Sequence, residues 1–179
     1  RMAAGAGSAP PGAGCRQLAP RRRTPATLNG QYVGVYCGVL PRSERAANRQ
    51  RERALHLLGF AELQRDFYLR PDNIEPDIAA IRLRLHALGL EERALVCACS
   101  GFDGATEAAI DALWNGVALN QGYRATQERL QRWLDGAARL PIDQAARESF
   151  FLGGAAIRQL VYDPLLPEPM VDGALRAAF

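Results

Sequence analysis

The chain has 179 residues, 48% of them hydrophobic and 23% charged, and a formal net charge of +3. That composition excludes a disordered or fibrous chain and allows one ample core or two small ones. No stretch approaches the ~18 to 20 apolar residues that span a bilayer, and no charged-then-apolar leader opens the chain, so a cytoplasmic location is expected and a membrane partner is not.

All 22 basic residues are arginine, so each positive charge is a planar guanidinium suited to paired hydrogen bonds with phosphate or carboxylate. A GC-rich genome accounts for the arginines and alanines equally well. The charge is uneven: residues 1–58 carry ten arginines against Glu44 and Glu52, a net of +8, and residues 59–179 carry twelve arginines against seventeen acids, a net of −5. The N-terminal third therefore reads as the part that faces an anion.

In chain order, residues 1–29 are rich in glycine, proline and alanine, show no sustained apolar period and read as a linker. From Gln31, Val33, Val35, Cys37 and Val39 alternate with Tyr32, Gly34, Tyr36 and Gly38, which predicts a strand ended by Pro41. Ser43 is read as the cap of a helix whose buried stripe is Ala47, Ala54, Leu55 and Leu58. Its other faces hold Arg45, Arg49, Arg51 and Arg53.

Two short extended segments near 60–63 and 66–70 form an expected hairpin, followed by a helix from about Pro76 to Gly89 and a strand at 94–100. The order strand, helix, strand, strand, helix, strand is that of the ferredoxin-like split unit, with both helices on one sheet face and the other face left for a partner or another domain. The expected fold class is thus α+β, a ferredoxin-like βαββαβ domain at 30–101 followed by an all-helical domain at 102–179.

Helices are expected at 104–115, 120–136 and 142–161. In the second, Tyr123, Gln127, Leu130 and Leu134 share a side, with Trp133 beside them. In the third, Ala146, Phe150, Gly153, Ile157 and Leu160 have the spacing of a seam against another helix, and Gly153-Gly154 predicts a tight crossing there. Asp163 precedes a proline and ends that helix, and Pro164, Pro167 and Pro169 stiffen the YDPLLPEPM segment. Leu165, Leu166 and Met170 are then expected to lie against the helices as a strap, with Asp163 accepting from backbone or from an arginine such as Arg158.

Cys15, Cys37, Cys97 and Cys99 contain no CxxC pair, and His56 and His86 sit apart from them on helices, so no metal or other cofactor is expected. Cys97 and Cys99 share a strand face and read as small apolar residues. No nucleophile with an adjacent base is visible, and no catalytic residue is assigned.

Five segments carry a resemblance: NGQYVGVY, RQRERALHLLGFAEL, FYLRPDN, ALW with Tyr123 to Leu134, and RQLVYDPLLP. In this order, from Asn29 to Phe179, they resemble the phenylacetic acid degradation repressor (PaaX-type) family of bacterial transcriptional regulators. The departure is EPMVDGALRAAF, where many members continue into a Leu-Leu-Pro and tryptophan stretch.

The resemblance implies an N-terminal winged helix-turn-helix for DNA, largely absent from this chain, then a ferredoxin-like and a helical domain that sense an aryl-acyl coenzyme A (phenylacetyl-CoA in phenylacetate catabolism) and repress aromatic catabolism genes. RMAAG would be the last turn of the DNA reader and RRRTP part of the linker. Asp163, Pro164, Leu165, Leu166 and Pro167 form the family motif. A homodimer is expected, because a two-fold operator requires a two-fold protein. Arg42, Arg45, Arg49 and Arg53 are the candidates for phosphate contacts, to DNA or coenzyme A, with a solvated arginine face as the plain alternative.

Two other readings lack the residues they need. A CRISPR-associated-type nuclease would need a metal-holding carboxylate at the end of the first strand, where no acid occurs before Glu44. Nucleic-acid binding through Tyr32, Tyr36 and Tyr68 on an open sheet face lacks the RNP-type pattern, and packing against a neighbouring domain is the better account of them.

Overall fold

The computed structural model describes residues 30–179, an α+β protein. The expected linker at 1–29, with RMAAG, RRRTP and Cys15, lies outside the described residues. Strands β1 (Tyr32–Tyr36), β2 (Ala61–Gln64), β3 (Phe67–Pro71) and β4 (Leu95–Cys99) form one antiparallel sheet in the order β2-β3-β1-β4. Helices α1 (Arg45–Leu57) and α2 (Ile78–Ala87) provide the two crossovers.

Period-two alternation sorts β1 between two layers. Val33 and Val35 pack with Ala54, Leu55 and Leu58 of the α1 segment, Ile81 and Leu85 of α2, and Val96 of β4. Both helices end at glycines with positive φ, Gly59 (72°) and Gly89 (105°), the left-handed stop that glycine adopts at least cost.

β1 stops at Tyr36 rather than running on to Val39. Cys37 donates its N–H to Asp66 O (2.8 Å), and Leu40 N–H returns to Cys37 O (2.9 Å), which turns the chain and leaves Val39 exposed. The cap of α1 is Glu44, not Ser43, and it makes no side-chain cap bond. Arg51, read as a surface residue, is buried, with Nε 3.1 Å from Glu91 and Nη1 3.0 Å from Asn48.

The second sheet face is covered at its Tyr32 end, while Tyr36 and its partner Leu95 on the same face stay exposed. Helix α3 (Gly104–Asp111) brings Ile110, with Phe102, Leu113 and Trp114, against Tyr32, Phe67 and Leu69. Tyr32 meets Phe102 edge-on at 5.9 Å. Tyr68 pairs with Val35 and packs in the opposite layer, so the three tyrosines do not form one stacking platform. Cys97 and Cys99 are half-buried rather than buried, their sulfurs 3.7 Å apart.

Only helices follow: α4 (Gly116–Ala137), α5 (Ile142–Val161) and α6 (Gly173–Ala178), the last a short element that the sequence reading did not resolve. The inward side of α4 is centred on Tyr123 and Thr126, with Gln127 and Leu134 exposed. Most of the expected α5 seam points outward: Phe150, Ile157 and Leu160 are exposed, and a Cβ at Gly153 or Gly154 would meet nothing within 4 Å. No tight crossing forms there among the described residues, because the stripe faces solvent and not α4.

Candidate functional site

The segments singled out in the sequence converge where the helices join the sheet. α5 ends at Val161, and Asp163 turns inward, buried, to accept from the Tyr123 hydroxyl (2.9 Å) and from Leu165 N–H (2.8 Å). Of the two expected kinds of donor, backbone is realised at Leu165, whereas Arg158 is exposed and the side-chain donor is Tyr123, one helix away. Burial, followed by the Asp163 charge, pushes the Tyr123 hydroxyl well above its usual pKa. Its neutral form is thus retained on folding, and this contribution to stability is complete below about pH 10 and is lost as pH rises further.

Leu166 and Pro167 are fully buried, as a strap requires, but Leu165 is 41% exposed. What Leu165 supplies is backbone. Its φ of 52° lies in the left-handed region, which costs a leucine roughly 1 to 2 kcal/mol. The Asp163 bond on its N–H and a bond from Asn73 Nδ2 to its carbonyl (2.8 Å) hold it there. Arg176 Nη1 donates to Leu166 O (2.7 Å), so α6 also clamps the segment.

Asn73 belongs to the RPDN end of β3, and its Oδ1 accepts from Arg70 Nη2 (2.8 Å). Arg70 is buried with no ion-pair partner among the described residues: Nε donates to Pro71 O (2.9 Å), Nη1 to Leu58 O, and the guanidinium lies 5.9 Å from the Phe60 ring centre. Burial pushes its pKa down to about 10, which leaves it protonated at neutral pH. A continuous chain of bonds thus runs from the end of α1 through Arg70, Asn73 and Leu165 to Asp163 and Tyr123.

Beside this chain lies a cleft of ≈ 560 Å³ lined by His56, Phe60, Trp114, Asn115, Tyr162 and Pro164, among others. The His56 and Tyr162 rings are 5.2 Å apart. Its walls come from α1, β2, the α3–α4 turn, the start of α4 and the strap, whose Pro164 forms one side. A volume of ~300 to 1,000 Å³ with aromatic walls and few polar groups is typical of a small-molecule pocket.

The four arginines singled out do not form one patch. Arg49 and Arg53, one turn apart on α1, share a shallow hollow of ≈ 440 Å³ with Gln50, Leu57, Ala87 and Leu88. Arg45 is exposed a further turn back. Arg42 is ion-paired with Asp66 in a separate polar hollow that also contains Glu52 and Glu62. The hairpin thus brings an acid to the end of β1 that sequence order did not reveal, already paired. Among the described residues no group of three or more His, Cys, Asp or Glu side chains is placed to hold a metal ion, and no helix is long and apolar enough to cross a membrane.

The fold and cleft define an α+β protein in which a sheet unit and a run of helices are clipped together by a proline-stiffened segment. Residues 114–177, from the cleft tryptophan through α6, match the family model for the PaaX-like protein C-terminal domain. The matched stretch, 64 of the 179 residues, is similar to that domain.

Uncharacterized protein Rv0674 from Mycobacterium tuberculosis has a similar solved structure, with a TM-score of 0.58 and 20% identity over 87% of this chain. The chain spans 59% of that protein's length, and the likeness concerns the fold alone. No curated protein matches the chain.

Proposed function

We propose that this chain is the effector-sensing part of a bacterial transcriptional repressor of PaaX type, with an aryl-acyl coenzyme A as effector and aromatic catabolism genes as target. In this reading residues 30–101 are a ferredoxin-like domain, a reading supported by the order β2-β3-β1-β4, and 102–179 are the helical domain. DNA is contacted mainly through a winged-helix domain N-terminal to them, in the cytoplasm, and the chain performs no catalysis.

The observation that carries the reading is the cleft, walled jointly by sheet and strap. An aryl group stacked among Phe60, Trp114 and Tyr162 contacts both units at once, so it favours the arrangement in which they are clipped together. A ligand shifts a conformational equilibrium only by its differential affinity, and a shared wall supplies that difference. Arg49 and Arg53 lie along the same helix as His56, with Leu57 in their hollow and His56 in the cleft, which suits an acyl end in one and phosphates in the other.

Phenylacetyl-CoA is expected to quench Trp114 fluorescence saturably and to raise the melting temperature by several degrees at ligand well above Kd, whereas free coenzyme A does much less. Arg49→Glu with Arg53→Glu is expected to weaken binding at least tenfold, the loss of two charge-assisted phosphate contacts. A melting curve unmoved by the thioester at saturating concentration would overturn the sensor reading.

A further inference from the structure

Cys97 and Cys99 stand two apart on β4 and share a sheet face, their sulfurs 3.7 Å from one another. β4 is an edge strand and both side chains are half-buried, so the pair can be reached from solvent. Across the ladder from Cys97 is Gly34, the single residue of β1 without a side chain. A Cβ there would stand 2.7 Å from Cys99 Sγ and 3.0 Å from the Phe67 ring. Glycine weakens a strand interior and marks a place where another group comes close, and here that group is the Cys99 sulfur.

We infer that Cys97 and Cys99 form a two-thiol site for one soft divalent cation of the zinc and cadmium class. Sulfur spacing selects a metal bridge over a disulfide. Two sulfurs bound to one tetrahedral cation at ~2.3 Å lie about 3.7 to 3.8 Å apart, the separation already present. A disulfide would draw the sulfurs to ~2.05 Å across Cα atoms about 6.6 to 6.8 Å apart, the outer limit of its reach.

Charge selects the valence. Burial, followed by the hydrogen bond with Cys97, pushes the Cys99 thiol up to about 11, and no charged side chain among the described residues contributes. Cys99 packs against the apolar layer of Tyr32, Leu69 and Ile110. On binding, each thiol passes its proton to solvent and each sulfur gives an electron pair to the cation, so a divalent cation and two thiols become a neutral dithiolate complex and two protons. A monovalent cation would leave a net negative charge in that layer, which is costly. Thiolates favour soft cations over magnesium or calcium. No third His, Cys, Asp or Glu joins the pair among the described residues, so the other two positions of the tetrahedron fall to water or a small-molecule donor, as at an open zinc site.

The full chain carrying Cys15→Ser, reduced and metal-free, is expected to take up one Cd2+ with a saturable thiolate-to-cadmium absorption band, which Zn2+ removes and Mg2+ does not. Cys97→Ser or Cys99→Ser is expected to weaken binding about a hundredfold or more, the loss of the chelate, with an unchanged circular dichroism spectrum. Gly34→Ala keeps both thiols but displaces the Cys99 sulfur, and is expected to weaken binding about tenfold. In the unaltered chain Cd2+ is expected to protect both Cys97 and Cys99 from alkylation by iodoacetamide, read by peptide mass spectrometry. That measurement needs no variant and decides the matter if a serine substitution disturbs folding. Absence of a saturable band, a band indifferent to either serine variant, or protection confined to Cys15 or Cys37 would each overturn the proposal. No effector enters the experiment, so its outcome is independent of the sensor reading.

Discussion

Asp163→Ala is expected to lower stability by roughly 3 kcal/mol, read as a shift of the urea midpoint at unchanged slope. The carboxylate accepts from the buried Tyr123 hydroxyl and from Leu165 N–H, and alanine leaves both donors without an acceptor. Each orphaned donor costs about 1 to 3 kcal/mol, partly offset because the aspartate no longer has to be desolvated. On a domain stability of ~5 to 15 kcal/mol the loss is a large fraction.

Asp163→Asn, whose amide oxygen still accepts one bond, is expected to recover about half of that. A double-mutant cycle with Tyr123→Phe is expected to show coupling of about 1 kcal/mol or more, since the two groups share one bond. Additive losses in that cycle would mean that Asp163 acts through Leu165 alone.

Gly59→Ala is expected to cost about 3 kcal/mol and to abolish ligand binding in the cleft. Two terms contribute. At φ 72° any Cβ is strained, by roughly 1 to 2 kcal/mol. The new methyl would also stand 2.6 Å from Pro164 Cα and from its carbonyl oxygen, backbone that cannot rotate aside, so the strap itself must lift.

Gly101→Ala separates the two terms. Its φ is 70° and nothing lies within 4 Å of the added carbon, so it incurs the conformational cost alone. The excess of Gly59→Ala over Gly101→Ala, by thermal or urea unfolding, therefore measures how firmly Pro164 is seated. Equal losses would show that the strap yields freely.

Local rules made much of this fold legible in the sequence. Alternation at Val33 and Val35 located the central strand, glycines marked the ends of α1 and α2, and Pro164 marked the end of α5. The strap was also legible in outline, because a proline-stiffened Leu-Leu pair has poor prospects in water. Its partners were not. Arginine is by default a surface residue, so nothing in FYLRPDN announces that Arg70 is buried under Phe60 and reaches the strap through Asn73.

Tyr123 was visible on a helix, but the pairing of its hydroxyl with Asp163 depends on how two helices far apart in the chain meet. Periodicity on α5 likewise reports that a stripe exists without naming what it faces, and five residues assigned to an internal seam mostly point outward. The four arginines were grouped by proximity along the chain, whereas the turn after β1 and the β2–β3 hairpin divert Arg42 to Asp66. The joint cleft lay beyond local pattern altogether, its walls coming from three separate stretches of chain.

The bond from Asn73 to Leu165 joins residues 92 positions apart. Closing a loop of that length costs about 4 kcal/mol in chain entropy, and no neighbouring contact refunds it until both ends are already ordered. The clasp should therefore form late, after the transition state. Weakening it would then hasten unfolding while leaving the refolding rate nearly untouched, so the lifetime of the assembled molecule is set at its junction rather than in the sheet that folds first.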